Sequence, residues 1–264
     1  MLVIEYWRLG IIVNSSSREQ KAERKFLKRI VPFLDEIITS IPKGTRVYLV
    51  GGTLRNLFVY PYHPELKIKQ RDYDLVVFGH FAQFKNNLVK KGFTAGMIQR
   101  QYQTVFKKPL LQDAKDLDDF AVLDIADASQ LGVGKTGSVK TFLARKVNFT
   151  VNAMGVHVRD LKTSTWRKKV VFPFRERTMA DLRAAQIRLN PKKRLFFPSD
   201  IYACVRFVSA GFLPPPRKEL SLLKKAFINS PLSNLGVQRK KLFSYTNRRL
   251  VGAALKKMKL ESIV

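Results

Sequence analysis

Two short blocks between Tyr48 and Phe78 constrain this chain more than anything else in it. The first reads Tyr48-Leu49-Val50-Gly51-Gly52-Thr53-Leu54-Arg55-Asn56. An apolar run from Val47 to Val50 ends at two glycines, and the pattern from Thr53 to Val59 predicts a helix. A strand, a glycine turn and a helix N-terminus make a phosphate cradle, because N–H groups with no Cβ beside them can approach an anion closely. The second block, Asp72-Tyr73-Asp74-Leu75-Val76-Val77-Phe78, predicts a strand. Residues two apart on a strand project to one face, so Asp72 and Asp74 stand together. Paired carboxylates of this kind hold divalent ions against a triphosphate, with roughly 4 Å between the ions of a two-metal site. In this order, the glycine turn and the paired aspartates point to nucleotidyl transfer.

Further along, Phe120-Ala121-Val122-Leu123-Asp124-Ile125 predicts another strand with an acid inside it. An ionised carboxylate among Val, Leu and Ile is unfavourable without a partner. A cation shared with Asp72 and Asp74 would supply one. Asp127 is the rival for that role, whereas Asp113, Asp116, Asp118 and Asp119 read as a solvated loop. Gly132-Val133-Gly134-Lys135-Thr136-Gly137 is not a P-loop, because Ser129 stands where that pattern needs glycine. It reads as a glycine loop near the site.

A third block, Asn148-Phe149-Thr150-Val151-Asn152-Ala153-Met154, completes an ordered set. These three blocks resemble the head domain of the class II CCA-adding enzymes and bacterial poly(A) polymerases, in which Gly-Gly-x-x-Arg-Asp, Asp-x-Asp and Arg-Arg-Asp-Phe-Thr-x-Asn-Ala-Met follow one another. The resemblance spans roughly Arg46 to Phe212. It implies an α+β fold: a nucleotidyltransferase head with a small mixed sheet, then a mainly helical basic neck and body. It implies Mg²⁺ on Asp72, Asp74 and Asp124, the last as the family's third carboxylate. It also implies that Gly51, Gly52, Arg55 and Asn152 contact the nucleotide. The chain departs from the pattern at Lys146, Val147 and Asn148, which stand where the family has Arg-Arg-Asp. The segment Pro198 to Phe212 resembles the neck helix, but Asp200 and Ala203 replace arginines and only Arg206-Phe207 is kept. A Glu-Asp-x-x-Arg block for base selection is missing from the sequence.

Charge supplies the second constraint. The chain of 264 residues carries 49 Lys plus Arg against 20 Asp plus Glu, a formal +29. Such an excess repels itself unless it meets a polyanion, so RNA is the expected partner. From Ala185 to Val264 there are 17 basic residues against three acids. Arg239, Lys240, Lys241, Arg248 and Arg249 are the expected phosphate contacts there. Arg18, Lys21, Arg24, Lys25, Lys28 and Arg29 recur at helical spacing, predicting a basic-faced N-terminal helix. Between the first two blocks, Tyr60, Tyr62, Lys67, Lys69 and Arg71 interleave aromatics and cations in a proline-bearing loop, which suits either base stacking or plain packing.

Cys204 is the only cysteine, which excludes an intrachain disulfide and a cysteine zinc site. His63, His80 and His157 are too scattered to form a metal cluster. No apolar run reaches the ~18 residues of a membrane span, so no membrane partner is expected. The expected compartment is intracellular; residues Met1 to Ser17 leave a mitochondrial or other organellar address open.

Three regions are expected: a basic helical extension over 1–44, the head over 45–174, and the basic RNA-binding neck and body over 175–264. Two functions fit. One is a metal-dependent RNA 3′-end nucleotidyltransferase that takes a nucleoside triphosphate and a tRNA, mRNA 3′ end or rRNA. The other is a catalytically degraded head serving as an RNA-binding scaffold among ribonucleoprotein proteins, such as those of an organellar ribosome. Convergence of Asp72, Asp74 and Asp124 within metal-sharing distance in an open cleft separates them, and a cleft filled by side chains favours the scaffold.

Overall fold

The structure is a computed structural model that describes residues 33–66, 72–100, 103–109, 120–134, 137–163, 165–193, 197–228 and 248–261. The expected N-terminal basic helix, the acidic stretch 113–119, Lys67, Lys69, Arg71, Lys135 and the triplet Arg239-Lys240-Lys241 lie outside these residues.

The fold is α+β, as expected. Strands β1 (Arg46–Val50), β2 (Asp72–Phe78), β3 (Thr94–Arg100), β4 (Gln103–Pro109), β5 (Phe120–Asp127) and β6 (Gly155–His157) form one mixed sheet in the order β3-β4-β5-β2-β1-β6. Only the central β2–β5 pair is parallel. Helix α1 (Gly52–Val59) follows β1 directly, and α2 (Phe81–Lys90) and the β3–β4 hairpin lie between the two parallel strands. A parallel pair needs such a crossover, since a tight turn joins only antiparallel strands.

Alternation along β2 divides the sheet's two faces. Tyr73, Leu75 and Val77 join the main core, together with Leu123 and Ile125 of β5. Val76 and Phe78 face the other way and pack with Val139, Phe142 and Leu143 of α3 (Val139–Lys146). Asp72, Asp74 and Asp124 share this second face. Ser138 caps α3 by accepting a hydrogen bond from the Thr141 N–H, 3.1 Å.

Strand β6 ends at His157, and Val158 opens a 3₁₀ turn, Val158–Lys162. At Val170 to Phe172 only Val171 pairs, with Gly155. Pro173 follows and has no N–H to extend a ladder.

After α4 (Arg175–Arg183) come α5 (Pro198–Ser209), α6 (Arg217–Ile228) and α7 (Arg248–Met258). Ile201, Tyr202, Val205 and Val208 of α5, Leu223 and Phe227 of α6, and Val251, Leu255 and Met258 of α7 are buried. They belong to the same cluster as the sheet's core face, so these helices and the sheet share one apolar interior. Among the described residues no helix is long and apolar enough to cross a membrane.

Candidate active site

The glycine turn sits where two strands meet. Val50 pairs with Asp74 in the β1–β2 register, so Gly51 arrives beside that carboxylate. Gly51 has φ 73 and ψ −131, a conformation essentially closed to residues with a side chain. A Cβ there would lie 3.2 Å from Asp74 Oδ2. Glycine is therefore needed both for the turn and for the approach. The Gly52 N–H donates to Asp74, and Thr53 Oγ1 donates to the Asp72 carbonyl, 3.3 Å. These two bonds fasten α1 to the start of β2.

The parallel register sets Asp74 directly beside Asp124. One oxygen from each of Asp72, Asp74 and Asp124 lies within 4.8 Å of the other two. Asp72 is exposed, and the other two are partly buried. The expected convergence is present. Asp127, the rival, pairs with Val77 and is buried, and its Oδ1 accepts from the Ser129 N–H and hydroxyl at 2.9 and 2.7 Å. It closes the turn after β5 and takes no part in the cluster.

Three like charges this close are costly. Asp74 retains a little exposed surface, but its carboxyl lies deep, and burial raises its pKa well above the ordinary value. Asp72 and Asp124 raise it further, while Arg55 and the Gly52 N–H pull it down only in part. Three hard oxygen donors within 4.8 Å of one another fit a divalent cation such as Mg²⁺.

Arg55 is buried, and its guanidinium is gripped by neutral acceptors. Its Nη1 donates to Asn152 Oδ1 at 2.9 Å, and its Nε and Nη2 donate to Asn56 Oδ1 at 3.0 and 2.7 Å. The guanidinium lies 4.6 Å from the ring centre of Phe207. Burial pushes its pKa down to about 10, with Arg206 adding to the effect and Asp74 and Asp72 opposing it. Phe207 in turn meets Phe149 edge-on at 5.5 Å and Phe212 at 5.4 Å. Phe207 thus supplies the platform beneath Arg55. Asn152, expected to touch nucleotide, spends its carbonyl on Arg55 and has its amide nitrogen left for a ligand.

Behind this platform lies a group the sequence did not signal. Asn148 Nδ2 donates to Asp200 Oδ1, and Lys193 Nζ donates to Asn148 Oδ1. Lys193 also pairs with Asp200 Oδ2 at 3.3 Å, and the Phe197 N–H donates to the same oxygen at 2.9 Å. Asp200 is buried at the first turn of α5, so the departures at 148 and 200 are partners. Burial raises the pKa of Asp200, against the pull of Lys193, and lowers that of Lys193, against the pull of Asp200.

Two other expectations resolve. The glycine loop returns at the far end of β1, where Arg46 Nη2 donates to the Gly137 carbonyl at 3.0 Å. The described part of the loop is not beside the carboxylates. The described part of the Tyr60 loop is anchored at two points, His63 Nε2 lying 2.6 Å from the Arg183 carbonyl and Leu66 being buried, while Tyr60 itself is exposed. A Cβ on Gly211 would sit 2.8 Å from Leu66, so this loop presses against the end of α5. Arg248 and Arg249, at the start of α7, are exposed.

No protein-family model matches the sequence, and no curated protein matches it. Solved structures do. A tRNA-processing enzyme in an apo form aligns over 96% of this chain and 60% of its own, at 20% identity and TM-score 0.58. A Thermotoga maritima CCA-adding enzyme complexed with tRNA aligns over 92% and 54%, at 20% identity and TM-score 0.60. A tRNA nucleotidyltransferase complexed with a primer tRNA and an incoming ATP analogue aligns over 83% and 59%, at 22% identity and TM-score 0.59. This chain therefore spans between 54% and 60% of the length of these three. The likeness to these structures shows that the chain has the fold of the CCA-adding tRNA nucleotidyltransferases.

Proposed function

We propose that this chain is a metal-dependent nucleotidyltransferase acting on RNA 3′ ends. The observation that carries the reading is the convergence of Asp72, Asp74 and Asp124 beside the Gly51-Gly52 turn and the buried Arg55. In this reading the RNA 3′-hydroxyl attacks the α-phosphorus of a nucleoside triphosphate, the P–O bond to the β-phosphate breaks, and pyrophosphate leaves. Mg²⁺ held by the three aspartates would neutralise the developing charge and make the hydroxyl more acidic. The Arg55 guanidinium would meet the triphosphate, whereas the N–H groups of Gly51 and Gly52 are spent on the Met154 carbonyl and on Asp74, so the glycine turn would serve by its close approach and not as an N–H cradle. Arg55 suits that task because its fixed partners are amides, which leave its charge for an anion. Phe207 and Asn152 keep it aimed.

The neighbouring folds bind tRNA and nucleotides, and a formal +29 favours RNA here too. Residues 45–174 would carry the chemistry and 175–264 the RNA contacts, with Arg239, Lys240, Lys241, Arg248 and Arg249 on phosphates.

The test is incorporation of labelled nucleoside triphosphates into total RNA by purified protein with Mg²⁺. Incorporation should fall by about 10³-fold or more in the Asp72→Ala/Asp74→Ala variant, the scale of losing several kcal/mol of transition-state stabilisation. RNA retention should persist in that variant. Wild-type incorporation no higher than the variant's overturns the reading.

One observation favours the second reading, an RNA-binding scaffold. Asn148 stands where the family's Arg-Arg-Asp block has its carboxylate and Asp200 where it has a neck arginine, and Lys193 joins the two. The same assay separates the two, because a scaffold retains RNA and incorporates nothing.

A further inference from the structure

Gln103 touches the candidate metal site in a way that a supporting residue would not need to. Its Nε2 lies 2.8 Å from Asp124 Oδ1 and 2.6 Å from Oδ2, within hydrogen-bonding reach of both oxygens. The strand register explains the placement. Val105 of β4 stands opposite Asp124, and Gln103 is two residues away on the same face, the diagonal position from which a long side chain reaches across. A carboxylate has about four lone-pair sites. Contact with both oxygens from one nitrogen places the NH₂ in the fork, where a cation would otherwise bind most directly.

We infer that Gln103 competes with a divalent cation for Asp124, acting as a removable stand-in for positive charge. The inference rests on the reading of the three aspartates as a metal site. Without metal, the amide dipole offsets part of the repulsion that Asp124 exerts on Asp74 and Asp72. An ion can reach Asp72 and Asp74 without disturbing Gln103. Asp124 can turn the fork between its two oxygens to an ion only when its bonds to the amide are given up. Gln103 is a positioning residue: it holds the third ligand back until an ion replaces it.

A supporting role makes the opposite prediction. A hydrogen bond that merely orients a metal-binding carboxylate raises affinity, and its removal typically weakens binding by 10–100-fold. The experiment is therefore a titration of the full chain with Mn²⁺, without nucleotide or RNA, following free Mn²⁺ by electron paramagnetic resonance at fixed pH. Gln103→Leu keeps the bulk and removes the amide. It should bind Mn²⁺ about tenfold more tightly than wild type, the factor that one hydrogen bond to a charged group corresponds to. Its metal-free melting temperature should be lower, because the carboxylates lose a donor.

Gln103→Asn, one methylene shorter and unable to reach the fork, gives the same readout if the leucine variant folds poorly. Unchanged or weaker Mn²⁺ binding in these variants overturns the inference and makes Gln103 a support for Asp124. Mn²⁺ binding that survives in Asp72→Ala/Asp74→Ala would refute the metal-site reading itself and take this inference with it. A failure of nucleotide addition alone leaves the Mn²⁺ comparison standing.

Discussion

At one end of the site three carboxylates face one another across the parallel strands; at the other, Asp200 meets a lysine and an amide. Both groups contain a deeply placed aspartate whose pKa burial raises. Their surroundings differ. Asp74 has two further acids beside it and one arginine that divides its attention among amides. Asp200 accepts from Lys193, Asn148 and the Phe197 N–H. The first group is poised for an outside cation, whereas the second is internally balanced. What this teaches is where the chain gathers charge of one sign: departure from the family pattern at the junction brings a lysine and an amide to Asp200, while the carboxylate face brings three acids together.

The strongest way to break this comparison is to remove the junction's cation. Lys193→Ala should destabilise the protein by about 3 kcal/mol, because it leaves Asp200 buried without its counter-ion. Lys193→Met combined with Asp200→Leu should recover most of that loss, since replacing both buried charges by apolar groups is often neutral. Urea unfolding of the two variants measures the difference. Equal losses in both would mean the pair is not balanced as described.

Gly51→Ala probes the other end, with an expected cost of about 2 kcal/mol from the forced backbone conformation. Its added Cβ, 3.2 Å from Asp74 Oδ2, should also displace that carboxylate and weaken Mn²⁺ binding. A variant with wild-type melting and wild-type Mn²⁺ affinity would show that the turn can relax.

The smallest effect sharpens the comparison by pH. Because the folded-state pKa of Asp74 is raised, the folded protein holds this proton where the unfolded chain has lost it. The associated stability is full below the ordinary value of 3.8 and is lost as pH rises from there through the raised value. Asp74→Asn should therefore stabilise metal-free protein at neutral pH, by on the order of 1 kcal/mol, the scale of relieving like charges opposed in a sheet. It should also flatten this part of the pH profile. Added Mg²⁺ should stabilise wild type and not the variant. Thermal melting across pH, with and without Mg²⁺, checks both statements.

Much of this was legible in the chain because it depends on residues near one another in sequence. Alternation in Asp72–Phe78 places two carboxylates on one face whatever surrounds the strand. The glycine pair announces a turn that side chains cannot make, and the helices from Arg217 and Arg248 show their apolar spacing directly. Asp124 was found by a local argument too, as an acid with no business in an apolar strand unless something met it.

Other features depend on register and packing, which no local pattern encodes. The pairing of Val105 with Asp124 decides that Gln103 reaches the fork, and a shift of one residue would have turned it to the core. The meeting of Asn148 with Asp200, 52 positions apart, needs the neck helix docked on the head. In sequence each looked like a lost family residue; in space they are one hydrogen-bonded group. The sequence by itself determined the strand–turn–helix, the carboxylate face and the positive charge, because these follow from backbone geometry and composition. Only the tertiary structure decided which buried polar groups satisfy one another, because burial raises the cost of an unpaired group and the fold alone settles who is within reach.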